Sequence, residues 1–131
     1  PYCNAELAAL QKSYDAIKEA GGELVAISPQ IVDKNGEVKK KLRLDYPVLS
    51  DLGNAYAKEL CLAFALPDDL RGIYAGFGIN LEALHGDNLW ELPLPARIVV
   101  DKAGTIRSIE AHPDYTIRPE PTATLEVLKG L

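Results

Sequence analysis

An amphipathic segment that stops at Gly21-Gly22 and runs straight into the apolar stretch Leu24-Val25-Ala26-Ile27 leaves few architectures open. Cys3, Leu7, Leu10, Tyr14 and Ile17 recur at spacings of four and three, the apolar stripe of a helix. The glycine pair supplies the left-handed turn that ends such a helix near Ala20. The apolar stretch reads as a short strand buried on both faces, as in parallel or mixed sheets. A helix and strand joined so tightly form half of a βαβ unit, with its first strand expected before Pro1.

Pro1 suits the first helical position, where a missing N–H costs nothing, and this puts Cys3 in the first turn. Unpaired backbone N–H groups and the positive end of the helix dipole favour a thiolate there, and hence a nucleophile. The alternative is a small buried hydrophobe on the core-facing stripe. Pro1-Tyr2-Cys3 looks like the tail of a Cys-Pro-Tyr-Cys redox motif, whose first cysteine is expected just before Pro1.

A chain of 131 residues is one domain in size, with 47% hydrophobic and 25% charged residues, ordinary for a globular protein. The net charge of -5 implies no general affinity for nucleic acid or anionic membrane. The Lys39-Lys40-Lys41 cluster with Arg43 reads as a solvated helix face. Two cysteines are too few for a disulfide-stapled scaffold, and no apolar run approaches the roughly 18 residues that span a bilayer. A reducing cytoplasm is the preferred compartment.

Asp33-Lys34-Asn35-Gly36 is a turn signal, so a helix is expected only from about Glu37 to Arg43. Tyr46-Pro47 forces an extended approach to a strand at Val48-Leu49. Asp51 is placed as the N-cap of a helix carrying Leu52, Ala55, Tyr56 and Leu60, with Cys61 closing it in the core. A helix comes after Pro67, with Leu70, Ile73 and Phe77 on one face, then a short turn at 80–84 and an extended run from Leu89 to Leu94. The stretch from Asp68 to Trp90 reads as an insertion, with Trp90 covering an edge. Ala96 to Val100 is a strand, Asp101 to Gly104 a tight turn and Thr105 to Glu110 the returning strand. His112-Pro113-Asp114-Tyr115 is a loop, and Pro119 or Pro121 opens a last helix with Leu125 and Leu128 inward.

This order predicts an α/β chain, a mixed sheet covered by helices on both faces. His85 and His112 fall in loops. With Cys3 and Cys61 they show no metal-ligand spacing, so no metal is expected. Ser50-Asp51 and Asp68-Asp69 read as helix caps, and no glycine-rich phosphate loop is present.

Pro1-Tyr2-Cys3-Asn4-Ala5-Glu6-Leu7, Tyr46-Pro47-Val48-Leu49-Ser50-Asp51, Glu91-Leu92-Pro93-Leu94-Pro95-Ala96 and His112-Pro113-Asp114-Tyr115-Thr116 carry a family likeness. The chain resembles the peroxiredoxin-like branch of the thioredoxin superfamily, the alkyl hydroperoxide reductase and thiol-specific antioxidant proteins. The resemblance implies a single thioredoxin-like three-layer α/β/α domain over residues 1–131, lacking its N-terminal strand or strands. It implies thiol-dependent reduction of hydrogen peroxide or an organic hydroperoxide at Cys3, without a cofactor. Electrons would come from a thioredoxin- or glutathione-type donor, and a homodimer is compatible with the family. Protein disulfide exchange, or binding without turnover, are the competing readings.

Two departures from the family pattern matter. The Thr or Ser that precedes a peroxiredoxin's cysteine would be the cysteine expected before Pro1. The Arg that stabilises its thiolate is replaced by Pro95, which matches instead the cis-proline of thioredoxins. Leu94–Pro95 is therefore expected to be cis and to face Cys3. Arg97 lies nearby but alternates with Ile98 along the strand, and is not expected to take the catalytic arginine's place.

Overall fold

The computed structural model describes residues 2–114 and 116–131. The expected positions of Pro1 in the first helical turn and Tyr115 in its loop lie outside the described residues. The chain gathers into two compact units. One comprises the segments up to Ala26, Leu42–Pro47 and Leu94–Leu131, and the other Ile27–Lys41 and Val48–Pro93.

In the first unit the expected single helix is divided into α1 (Tyr2–Lys12) and α2 (Tyr14–Glu19). The break falls at Ser13, whose N–H reaches only three residues back, to the Leu10 carbonyl at 3.1 Å. The predicted stripe holds where it matters for packing, with Leu10 and Ile17 buried. The stop is a Schellman turn. Gly22 N–H donates to the Ile17 carbonyl at 2.9 Å and Gly21 N–H to Lys18 at 3.0 Å, with Gly21 at φ 82°. A Cβ on Gly22 would stand 3.1 Å from Ile17 Cγ2 and 3.2 Å from Leu128 Cδ1, so α7 (Pro121–Lys129) packs closely over this turn. Strands β5 (Ala96–Val100) and β6 (Ile106–Ala111) form the predicted antiparallel hairpin, pairing Arg97 with Glu110 and Ile98 with Ile109. The Asp101 carboxylate binds the turn N–H groups of Ala103 and Thr105, both at 2.9 Å.

In the second unit, β1 (Ala26–Ser28) starts two residues later than the apolar stretch, and Ile27 is half exposed. A continuous apolar run looks the same whether one face or two are covered. Strand β1 pairs with β2 (Val48–Ser50). Helix α3 (Val32–Leu42) runs straight through the Asn35-Gly36 turn signal. The Asn35 amide explains why: buried, it donates to Gln30 O at 3.3 Å, Leu49 O at 3.2 Å and Ser50 Oγ at 2.9 Å. Helix is imposed by these three acceptors, against the local propensity of the sequence.

Asp51 caps as expected, though at one remove. A 3₁₀ turn at Leu52–Asn54 intervenes, and its carboxylate accepts from Tyr56 and Ala57 N–H, at 2.9 and 3.0 Å, in α4 (Ala55–Glu59). Cys61 is exposed, against the expectation of a core residue. It sits at φ 59° in a second Schellman turn, with Leu62 N–H on Ala57 O at 2.8 Å and Cys61 N–H on Lys58 O at 3.0 Å. Apolar neighbours in sequence do not bury a residue that the turn directs outward.

Strand β3 (Ala63–Ala65), not expected from the sequence, pairs antiparallel with β4 (Glu91–Pro93). Between them lie α5 (Asp68–Gly76) and α6 (Leu81–His85). Trp90 donates to Glu82 Oε1 at 3.0 Å, with the Arg71 guanidinium 5.5 Å from its ring centroid. His85, expected in a surface loop, is instead the last residue of α6 and only 5% exposed. Gly86 takes the left-handed C-cap at φ 72° and closes the helix there.

Burial holds the His85 imidazole below the ordinary histidine range, against a smaller opposite pull from Asp87. Above a pH of about 6.5 the ring is neutral in folded and unfolded chains alike. Below it the unfolded chain binds a proton that the folded ring resists, so stability falls as pH falls. Urea midpoints should therefore drop between pH 7.5 and 5.5, and His85→Leu should flatten that dependence. Asn35→Ala should destabilise by about 1–3 kcal/mol in the same assay, since it removes the buried amide that holds three acceptors. A loss below about 0.5 kcal/mol would contradict the role given to this amide.

Candidate active site

Helix α1 is held at Leu7 and Gln11 by two residues of the Leu42–Pro47 segment. The Tyr46 hydroxyl donates to Leu7 O at 2.7 Å from a fully buried ring, and lies beside Tyr14 at 5.8 Å between centroids. Burial, with a smaller contribution from the Glu6 charge, pushes the Tyr46 hydroxyl up to about 12, so it stays a neutral donor. One turn later, Gln11 Nε2 donates to Asp45 Oδ2 at 2.7 Å and Gln11 Oε1 accepts Asp45 N–H at 2.8 Å. These contacts hold the helix against the Leu42–Pro47 segment.

Cys3 stands in the first turn of α1 and is exposed, so the buried-hydrophobe reading of this cysteine does not hold. Arg118 Nη2 donates to Cys3 Sγ at 3.3 Å. The same guanidinium pairs through Nη1 with Glu6. Glu6 lies three residues beyond Cys3, on the same face of the helix. Its other oxygen accepts from Arg97 Nη2 at 2.8 Å. Arg97 Nη1 in turn donates to Pro119 O at 2.8 Å and Thr124 Oγ1 at 3.1 Å.

The cluster thus ties the start of α1 to β5, to the Arg118 loop and to the start of α7. Its side chains are largely withdrawn from water, at 10% exposure for Arg97, 15% for Arg118 and 18% for Glu6. Two guanidiniums around one carboxylate leave one excess positive charge beside the Cys3 sulfur. Burial works against the Arg118 charge, but Cys3 and Glu6 outweigh it and hold the guanidinium above its ordinary range. A cation against an exposed sulfur at a helix start is the setting of a reactive thiolate.

Leu94–Pro95 is trans, against the cis bond expected from the thioredoxin match. Proline only narrows the gap between isomers, and trans keeps an advantage of about 0.5–1 kcal/mol. Pro95 instead borders a groove of about 380 Å³ together with Arg118, Ile109 and Ile117. Arg97, not expected to act catalytically, faces Glu6 and not the sulfur. His112 is exposed in its loop, its Nδ1 accepting Asp114 N–H at 3.0 Å. Among the described residues, no group of His, Cys, Asp and Glu side chains is placed to hold a metal ion. No helix among them is long and apolar enough to cross a membrane.

Sequence reasoning passes over Arg118 and Glu6. The Glu6 signal is there to be read, since the i, i+3 spacing puts a carboxylate beside Cys3. Arg118 carries no such signal: it approaches from 115 residues away, in a loop between Ile117 and Pro119.

Known proteins resemble this chain in sequence and in fold. The AhpC/TSA family model matches residues 1–109, a stretch that ends before Arg118. Chloroplastic peroxiredoxin Q of Populus jackii is 37% identical over 125 residues, covering 90% of this chain and 48% of that protein. The Gentiana triflora peroxiredoxin Q is 30% identical over 125 residues, with the same coverage of 90% and 48%. The Oryza sativa subsp. indica protein, a putative peroxiredoxin Q by name, is 37% identical over 76 residues, 58% of this chain and 33% of that one. The chain therefore spans roughly a third to a half of the curated relatives it matches. The crystal structure of peroxidoxin BcpB from Mycobacterium tuberculosis superposes with a TM-score of 0.75 at 17% identity, over 100% of this chain and 71% of that one. That likeness establishes the thioredoxin-like α/β fold. The family match extends over most of the chain and begins at the helix that carries Cys3: the chain belongs to the AhpC/TSA family.

Proposed function

We propose that this chain carries the reaction centre of a thiol peroxidase, with Cys3 as the peroxide-attacking residue and Arg118 as the cation that activates it. The observation that carries this reading is the Arg118 guanidinium on the exposed Cys3 sulfur, braced from behind by Glu6 and Arg97. The Cys3 thiolate attacks the terminal oxygen of a hydroperoxide. An S–O bond forms, the O–O bond breaks, and the departing alkoxide or hydroxide takes up a proton. Sulfur is oxidised by two electrons to the sulfenic acid and the peroxide is reduced to an alcohol or water. A second thiol then displaces water from the sulfenic acid to form a disulfide, and a dithiol reductant restores Cys3.

Arg118 occupies the role for which the family pattern offers Pro95 in this chain. Its positive charge lowers the energy of the attacking thiolate and of the negative charge developing on the peroxide oxygens. Arg97 is a positioning residue that acts through Glu6. Pro95 forms a wall of the adjoining groove. The proposed reductant is a thioredoxin- or glutathione-type thiol, the proposed assembly a homodimer, and the proposed compartment the reducing cytoplasm, where free thiols such as Cys3 and Cys61 persist. The family match runs through segments of both compact units, which supports treating the chain as one catalytic domain.

Peroxide consumption with a thiol reductant tests the reading, using the full protein and its Cys3→Ser variant. The variant should consume peroxide no faster than the uncatalysed rate; unchanged consumption would sink the assignment. Arg118→Ala should lower the second-order rate with peroxide by about 10–100-fold, the equivalent of one charge-assisted hydrogen bond. Arg118→Lys should fall between, because an ammonium keeps the charge but not the fork shared by Glu6 and the sulfur. Equal rates for all three proteins would remove Arg118 from the mechanism.

A further inference from the structure

The buried amide that imposes helix on α3 belongs to the dipeptide most prone to lose such an amide. Asn35-Gly36 is the one Asn-Gly pair in the chain, since Asn4, Asn54, Asn80 and Asn88 precede alanine or leucine. An Asn side chain deamidates when the backbone nitrogen of the next residue attacks its Cγ. An N–C bond forms, ammonia leaves, and the resulting succinimide ring is opened by water to aspartate or isoaspartate. A following glycine favours ring closure, because without a Cβ its backbone comes close to the side chain unhindered.

The fold holds both reacting atoms apart. Helix α3 engages the Gly36 N–H with the carbonyl four residues back, and Asn35 N–H donates to Ile31 O at 3.0 Å. The Asn35 side chain is 3% exposed and is held by Gln30 O, Leu49 O and Ser50 Oγ. Gly36 itself serves no packing need. A Cβ there would meet nothing within 4 Å, and its φ is not in the left-handed region. Glycine is among the poorest helix formers, so alanine would suit α3 better at this position. A reactive pair thus stands inside a helix and is kept closed by contacts of its own amide.

The product cannot return to those contacts. A carboxylate has no hydrogen to donate to Gln30 O or Leu49 O, and only the Ser50 hydroxyl is able to donate to it. Refolding would bury a negative charge against two carbonyl oxygens. Isoaspartate also lengthens the main chain by one carbon, which breaks the helical hydrogen-bond pattern.

We propose that Asn35-Gly36 is a deamidation site closed by the folded α3, and that a chain whose α3 unravels is marked there irreversibly and released from β2. The test keeps the full protein and its Gly36→Ala variant at mildly alkaline pH, in native buffer and in guanidinium chloride. The peptide holding residue 35 is followed by mass and chromatography. In denaturant, Asn35 should convert ahead of the other asparagines, and Gly36→Ala should slow it at least about ten-fold. An Asn35 that survives in denaturant as long as Asn4 or Asn88 overturns the site. In native buffer the conversion should be at least about 100-fold slower, set by the rare opening of α3. Conversion as fast as in denaturant overturns the closure. Returned to native buffer, the deamidated chain should exchange its α3 amide hydrogens at least about ten-fold faster than before, while Gly36→Ala taken through the same treatment keeps its protection. Unchanged protection in the deamidated chain overturns the release from β2.

Discussion

One carboxylate, that of Glu6, receives a guanidinium on each oxygen, and the geometry around Cys3 depends on that bridge. Without it, Arg97 and Arg118 would be two like charges brought together with little water to screen them. With it, the pair becomes a rigid fork carrying one excess positive charge, aimed by Arg118 at the sulfur. An ion pair of this kind is weak evidence for stability, since desolvation offsets much of the attraction. Its contribution is directional. It decides where Arg118 ends, against the Cys3 sulfur.

The bridge works because each of its members stands on something firmer. Glu6 is carried by α1, which the buried Tyr46 hydroxyl and the reciprocal Gln11–Asp45 contacts hold in place. Arg97 rises from β5, one arm of a hairpin whose turn is closed by the Asp101 carboxylate. Its second nitrogen contact, to Pro119 O and Thr124 Oγ1, fixes the loop from which Arg118 extends. A residue that never touches the sulfur thus positions the one that does. This is the usual division of labour between a reacting group and its supporting shell.

Much of this was legible in the residues. The helical spacing that buries Leu10 and Ile17, the Gly21-Gly22 stop, the hairpin around Asp101 and the final helix at Pro121 are local signals, and local geometry obeyed them. Cys3 in a first helical turn was readable for the same reason. The misses have one physical origin, a distant partner or a turn overruling a local preference. Three acceptors on Asn35 made helix out of a turn signal, a left-handed turn brought Cys61 to the surface of an apolar stretch, and Gly86 closed a helix on His85. Leu94–Pro95 went the other way: a family match suggested cis, and trans kept its ordinary advantage. Arg118 was hidden because its role comes from tertiary structure, in a loop with no periodicity to announce it.

Trapping the first oxidised species tests the central claim most directly. The full protein would be treated with one equivalent of hydrogen peroxide in the presence of dimedone, and each cysteine peptide weighed. The expected result is a sulfenic-acid adduct on Cys3 at neutral pH, with Cys61 left as the thiol. Equal labelling of the two exposed cysteines, or labelling of Cys61 alone, would mean that Arg118 and the helix start do not single out Cys3.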